Sequence, residues 1–319
     1  VTGVQTCALP ILGTYMSNIK TTLVSALLTT TIGLSMSVNA QTASEVANSL
    51  KNTAIDKAKS FTNNLAETSL ESLVDRTEVT IEGFEGSKPT FSILTTQPIT
   101  ESEDLKDTTF WQGSIFSNDG RETLNLGLGY RRLSDDEKWL YGVNAFYDHE
   151  FPYDHRRASI GGEVRSSLVE LNVNKYYGLS NALTGENGVQ ETALGGFEFE
   201  LGTQIPYIPG TKLFAKQFKW DGEDGGADLK GKTYSLDIGR EILTNTSLEA
   251  GIHDYDGTKA SEKFAKLTYY FGKQSKPVGP FIATVAFENL KSMKDKRLDK
   301  VRRTNTIVKQ KGGFTVSIR

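Results

Sequence analysis

The chain has one cysteine, three histidines and, past its N-terminal region, no long apolar run. The cysteine, Cys7, falls in a stretch expected to be foreign to the mature protein, so a disulfide framework, a cysteine metal site and a thiol nucleophile are excluded. Without a further run near the ~20 residues that a spanning helix needs, a helical membrane protein is excluded as well. Charge of one sign is also missing. Lys and Arg total 36 against 39 Asp and Glu, a net charge of -3 that offers no basis for a nucleic-acid partner. The hydrophobic share is 37%, and with 30 glycines added the total is ordinary for a folded chain.

What is present begins with targeting. Residues 1–11, VTGVQTCALPI, look like a translated sequencing adapter, so 1–15 reads as a non-native leader and Met16 as the expected start. Lys20 then supplies a positive n-region, residues 23–38 an apolar h-region and Val38-Asn39-Ala40 a small-residue cleavage site. The reading is a signal peptide over 16–40, with the mature chain starting at Gln41. Over 41–77, Val46, Leu50, Ala54, Ala58, Phe61, Leu65 and Leu73 recur at three- and four-residue spacings, which predicts a helical periplasmic segment.

From residue 78 the period changes to two. Leu124, Leu126, Leu128 and Tyr130 alternate with Thr123, Asn125, Gly127, Gly129 and Arg131; Trp139, Tyr141, Val143, Ala145 and Tyr147 alternate with Leu140, Gly142, Asn144, Phe146 and Asp148. Successive strand side chains point to opposite faces, so each segment has an apolar wall and a mostly polar or glycine wall. About twelve strands are predicted, over 90–99, 108–118, 121–132, 138–151, 156–166, 168–180, 193–205, 211–220, 232–243, 246–257, 262–272 and 279–290. An exported chain of two-faced strands fits an all-β transmembrane antiparallel barrel over 78–290, with lipid outside and water inside. Residues 118–120, 166–167 and 244–245 read as tight turns and 181–192 and 221–231 as longer loops, with the short turns expected on one side of the membrane. Phe110, Trp111, Trp139, Tyr176, Tyr177, Trp220, Tyr269 and Tyr270 are candidates for interfacial aromatic girdles. Leu126 and Val143 are expected to face lipid, Asn125 and Asn144 the lumen. Two lysines fit poorly: Lys175 falls on the apolar face of its strand, and Lys216, among Phe214, Phe218 and Trp220, leaves the lipid face of that strand open.

Residues 141–182 are the most distinctive. YGVNAFYDHEF, RRASIGGEVRSS and LVELNVNKYYGLSNA together resemble the translocator barrel of the intimin/invasin family, the inverse autotransporters. The resemblance runs from Thr90 to the C-terminus and includes KRLDKVRRTNTI at 296–307, similar to the stretch that the family threads, as a short helix and linker, through the lumen to the cell surface. It implies an outer-membrane barrel of a Gram-negative bacterium that anchors and exports a C-terminal adhesin-type passenger by type V secretion. It also implies outer-membrane lipid, periplasmic chaperones and the barrel-assembly machinery as partners, and a receptor only for the passenger. No passenger lies within these residues, and 41–77 shows no sign of the peptidoglycan-binding module that some members carry. Residues 291–303 are accordingly predicted as a lumen helix and 304–319 as an outward linker, the apolar Leu290, Met293, Leu298 and Val301 recurring within a charge-rich stretch.

Chemistry is sparse. His149 and His155 flank Phe151-Pro152-Tyr153 and read as exposed loop residues rather than as a metal or hydrolase cluster; His253 stands alone. Glu163, Arg165, Glu170, Glu198, Glu200, Asp237 and Glu249 fall on lumen faces and read as an ionic network bracing the pore. No catalytic, cofactor-binding or metal-ligating residue is assigned. A stand-alone porin-like channel and an outer-membrane lipase are the alternatives.

Overall fold

The computed structural model describes residues 76–84, 88–243, 245–272, 282–312 and 315–317. Twelve antiparallel strands close into a barrel. They are β1 (Thr77–Phe84), β2 (Thr90–Glu101), β3 (Asp107–Asn118), β4 (Arg121–Leu133), β5 (Leu140–Phe151), β6 (His155–Arg165) and β7 (Val169–Gly178). The circuit continues with β10 (Gly196–Ile205), β11 (Ile208–Trp220), β12 (Leu229–Ile238), β13 (Thr246–Tyr255) and β14 (Glu262–Tyr270), which pairs back onto β1. The connection from β7 to β10 carries β8 (Leu183–Thr184) and β9 (Gln190–Ala193). Near the C-terminus, β15 (Lys309–Lys311) and β16 (Thr315–Ser317) complete a second sheet in the order β16-β15-β9-β8. A single helical turn, α1 (Arg240–Leu243), lies between β12 and β13.

The two-residue period is realised as two walls. On β4, Leu124, Leu126 and Leu128 are 44%, 56% and 58% exposed, while Asn125 and Arg131 between and beyond them are fully buried. An apolar band of this kind around a closed sheet is the lipid belt of a membrane barrel, where closure leaves no strand edge unpaired. Strand ends that carry the connections 102–106 and 134–139 share one turn. Leu105 and Glu137 adopt φ of 61° and 58°. The hydroxyls of Ser102 and Ser134 each donate at 2.6 Å to the Asp two residues on. These bonds, with the backbone N–H of Lys106 and Lys138, hold the Asp104 and Asp136 carboxyls below the usual carboxylate range. This is the turn end. The opposite, loop end carries connections 179–195 and 221–228, but also the tight 119–120 turn, so the ends differ in their longest connections and not in every one.

Strand β1 is the twelfth strand, where the sequence pattern had placed 279–290. Residues 282–290 carry no strand; they meet the turn end, where the Tyr207 N–H donates to the Ala286 carbonyl at 2.9 Å. Once β1 pairs with both β2 and β14 no edge remains for another strand. The strand predicted over 193–205 is split between β9 and β10, and 240–243 is helix rather than the end of β12. The helical segment expected before the barrel lies outside the described residues over 41–75, and Thr77 already belongs to β1.

Four of the eight girdle candidates depart from that pattern. Phe110, Tyr176 and Trp220 are buried inside the barrel, at 0%, 0% and 1% exposure, and Tyr270 also faces inward, beside Ser247 and the Arg240 guanidinium. Phe214 and Phe218 point inward with Lys216, leaving Leu213 and Ala215 to lipid on β11. Wall glycines make this possible. A Cβ on Gly129 would lie 2.2 Å from the Phe110 ring, and one on Gly127 or Gly202 would lie 2.3 Å from Phe146 or Phe214. Each ring lies flat on a bare patch of wall.

This packing reverses one expectation. A water-filled interior, as the alternation alone suggests, makes a lumen substitution such as Asn125→Arg milder than Leu126→Arg. Asn125 is instead held by Ser114 at 2.8 Å and Asp148 at 2.7 Å, with no room for a longer side chain. Leu126→Arg is expected to destabilise the refolded barrel by ~2–4 kcal/mol, and Asn125→Arg by at least as much through overpacking, ~1–3 kcal/mol, together with a further buried cation beside Arg157. Urea unfolding in detergent reads both; an Asn125→Arg barrel with wild-type stability would contradict the packed lumen.

Candidate functional site

Residues 291–312 run through the barrel from the turn end to the loop end. At entry, the Met293 N–H donates to the Glu137 carbonyl at 2.7 Å, and Met293 packs with Leu133 and Leu140. A 3-10 turn, Lys294–Lys296, is the only helical part of the described segment; the helix expected over 291–303 is otherwise extended or irregular chain. An extended chain inside the barrel leaves its backbone groups needing partners. The wall provides them. Arg131 donates to the carbonyls of Arg297 (2.8 Å) and Asp299 (2.5 Å), and Gln112 accepts from the Val301 N–H (2.8 Å). Asn174 donates to the Arg302 carbonyl (3.0 Å), Arg157 to that of Thr304 (2.7 Å) and Asn125 to that of Asn305 (2.9 Å). With its backbone satisfied sideways, the segment has no need of helical bonds.

Its side chains pair with the wall in the same order. Asp299 meets Arg240 (2.8 Å), Lys300 meets Glu78 (2.5 Å), and Arg302 meets Glu200 (2.6 Å) and Glu249 (3.1 Å). Arg303 grips Asp148 through two bonds of 2.9 and 2.6 Å, and Arg157 holds the same carboxylate at 2.8 Å. The three side chains are fully buried. A layered device recurs: glycine in the wall, a phenylalanine on it, an arginine over the ring. Arg131 lies 4.5 Å from Phe110 over Gly129, Arg303 4.4 Å from Phe146 over Gly127, and Arg302 3.7 Å from Phe214 over Gly202.

The loop end is closed by strand addition. β15 pairs with β9 through Lys309↔Ala193, Gln310↔Thr192 and Lys311↔Glu191, and the Leu194 N–H donates to the Val308 carbonyl at 2.9 Å. Val308 sits in an apolar cluster with Tyr176, Leu194, Phe218, Trp220, Leu229 and Tyr255. Beside it Lys309 pairs with Glu150, and Arg121 bridges Glu150 (2.7 Å) and Glu191 (2.8 Å). His155 is here, fully buried and 3.1 Å from Glu191, not an exposed loop residue; His149 lies on the other side of the wall against Asp154 at 2.8 Å. Glu150, His155 and Glu191 have potential ligand atoms within 4.8 Å of one another, but the carboxylates already face Arg121, Lys309 and Lys311, so the group is an ion-pair cluster.

The acids and bases assigned to the lumen do face inward. Glu163 bonds Arg131 (2.6 Å), Glu198 pairs with Lys216 (3.3 Å), and Arg165 reaches Glu170 (3.4 Å) and Asp299 (3.8 Å). The residues that grip the segment most closely, Gln112, Asn125, Arg131, Asp148, Arg157 and Tyr176, were legible only as members of polar or aromatic faces. Nothing local marks which lumen side chain will meet a segment far away in sequence. Lys175 resolves as a lipid-side residue at the loop end, 3.5 Å from Asp221. The segment hugs β3–β7 and β10. Opposite it a cavity of about 470 Å³ remains, lined there by Glu78, Ser92, Ser235, Glu249, Phe264 and Lys266.

Residues 29–305 match the family described as inverse autotransporter, beta-domain. The chain is similar to an intimin of Escherichia coli O111:H-, 26% identical over 231 residues that cover 70% of this chain and 24% of the relative. It is also similar to the inverse autotransporter adhesin YeeJ of Escherichia coli K12, 30% identical over 35% of this chain and 5% of the relative. An invasin of Yersinia enterocolitica is 28% identical over 34% of this chain and 13% of the relative. In these three the match spans a quarter or less of the relative's own length. One solved structure, from work on the mechanism behind in-meso crystallization of membrane proteins, overlaps with a TM-score of 0.59 at 20% identity, covering 74% of this chain and 99% of that one, which speaks for the fold alone. A closed two-walled barrel, a chain threaded through it and this family match agree: the chain belongs to the inverse autotransporter family, and its barrel is a translocator barrel of the Gram-negative outer membrane.

Proposed function

We propose that the barrel anchors and exports a C-terminal adhesin-type passenger and that residues 291–312 are the linker left in the pore once export is complete. The observation that carries this reading is directional. Contacts run in order from Met293 at the turn end to Gln310 at the loop end, where Gln310 bonds the Glu223 carbonyl at 3.0 Å and β15 pairs with β16, so whatever follows Ser317 continues from the loop side. The mechanism is conformational and not enzymatic: unfolded chain passes a polar conduit, then ion pairs and strand addition seat the linker and close the mouth. A signal peptide over 16–40 would bring the chain to the periplasm, where chaperones and the barrel-assembly machinery would hand it to the membrane. The receptor belongs to the passenger.

The remaining cavity favours a second reading, a porin-like channel whose C-terminal segment only narrows the pore. An epitope tag fused after Arg319 separates the two. Export predicts that antibody reaches the tag on intact cells; detection only after the outer membrane is permeabilised would rule export out and leave a channel with a periplasmic tail.

A further inference from the structure

We propose that His155 makes the loop-end seat of residues 308–311 sensitive to acid, so that β15 leaves β9 when the imidazole takes up a proton. His155 is 0% exposed, and Glu150, Glu191 and Lys309 around it are 1% exposed. The imidazole Nε2 lies 3.1 Å from a Glu191 oxygen, so a neutral ring donates there and leaves Nδ1 as its bare nitrogen. Nδ1 has no hydrogen-bond partner. An added proton would sit at Nδ1 as a buried N–H with nothing to accept it, which costs the desolvation of that group. Glu191 has little room to turn toward it, because the connection before β9 packs on its side chain: a Cβ on Gly185 would lie 2.3 Å from the carboxyl carbon.

The charges around the ring oppose the same proton. From β4, Arg121 donates to Glu150 at 2.7 Å and to both oxygens of Glu191 at 2.8 Å. From β15, Lys309 pairs with Glu150, and Lys311 lies 3.6 Å from Glu191. Further in, Arg157 of β6 and Arg303 of the threaded segment share Asp148 of β5, while Glu198 of β10 is matched by Lys216 of β11. Cations therefore outnumber carboxylates in these pairs before the histidine is charged. At the rim Lys88 pairs with Asp119 at 2.5 Å, and Glu186, Glu223 and Asp224 are exposed, where water and salt screen them. The part that can yield is β15. It is three residues long, and its departure would remove Lys309 and Lys311 and admit water to the ring.

The uncharged ring belongs to the seated strand and the charged ring to the released one. The seat therefore holds fully above the ordinary histidine value, about 6.5, and weakens as pH falls below it, in a range where ordinary carboxylates, near about 4, stay ionised. The inference rests on the proposed reading that this segment closes the mouth. Conductance of the full-length barrel in planar bilayers would be followed from about pH 7.5 to about pH 5. Wild type is expected to open, the released fraction growing by up to about tenfold for each pH unit below the histidine value. His155→Gln, which does not titrate and can still donate to Glu191, should stay closed, whereas His149→Gln, on the other side of the wall, should open as wild type does. Heat-dependent gel mobility reports folding of each. Hydrogen exchange at the Leu194 N–H, which donates to the Val308 carbonyl at 2.9 Å, reads release in wild type itself once corrected for the intrinsic rate, and it serves if His155→Gln does not fold. A wild type whose conductance and exchange ignore acid, or an unchanged rise in folded His155→Gln, overturns the proposal. The barrel lacking residues 291–319 should conduct freely at both ends of the range. If it conducts no better than the full chain, the reading that the segment closes the mouth falls, and the proposal with it. A freely conducting deletion beside a wild type that ignores acid overturns the role of His155 alone.

Discussion

A barrel lacking residues 291–319 is expected to insert, to remain folded and to conduct ions several-fold more freely than the full chain in planar bilayers. The reason lies in what the segment occupies. It fills the lumen along β3–β7 and β10, and its charged side chains cancel those of the wall. When the segment is absent, water takes its place and solvates Arg131, Arg157, Glu198 and Glu200, so the wall charges regain hydration in place of their lost partners. The apolar outer belt and the closed ladder do not involve the segment and should hold the barrel together. Unchanged conductance would mean that the pore is blocked by something other than this segment.

Asp148→Ala is expected to loosen the seated segment in the full chain, although it removes a single side chain. The carboxylate lies between the guanidiniums of Arg157 and Arg303, all three fully buried, and it also accepts from Asn125 at 2.7 Å. Its loss leaves two buried guanidiniums without their shared carboxylate, and breaking a buried pair in this way costs about 3–5 kcal/mol. The barrel can relieve the strain only by unseating the segment. Unfolding should therefore begin at lower urea, and the pore should flicker open. Asp148→Ala/Arg303→Ala should recover part of the loss, because the two changes share one interaction and do not add. Wild-type stability and a quiet pore in Asp148→Ala would show that the ion pairs do not seat the linker. Asp148→Asn, which keeps a hydrogen-bonding group of the same shape, should fall between the two.

How much of this was legible beforehand follows from the range of each signal. The inward and outward faces of β4 and β5 were read correctly from alternation, because the side-chain period of a strand is a local property that no distant contact alters. The sequence alone thus determined that the chain is a barrel of about twelve strands, that Leu126 and Val143 meet lipid and Asn125 and Asn144 the lumen, and, through the 141–182 motifs, its family. Three matters were decided only by the tertiary structure. Strand β1 closes the barrel and 282–290 does not, since closure depends on which segment finds both free edges. Phe110, Tyr176 and Trp220 face inward because a distant glycine or apolar partner makes room for each ring, which a strand's own sequence does not encode. Residues 297–308 stay extended where their composition allows a helix. The barrel wall, for the most part through residues more than a hundred positions earlier, supplies the hydrogen bonds and counter-charges that a helix would otherwise have had to make for itself.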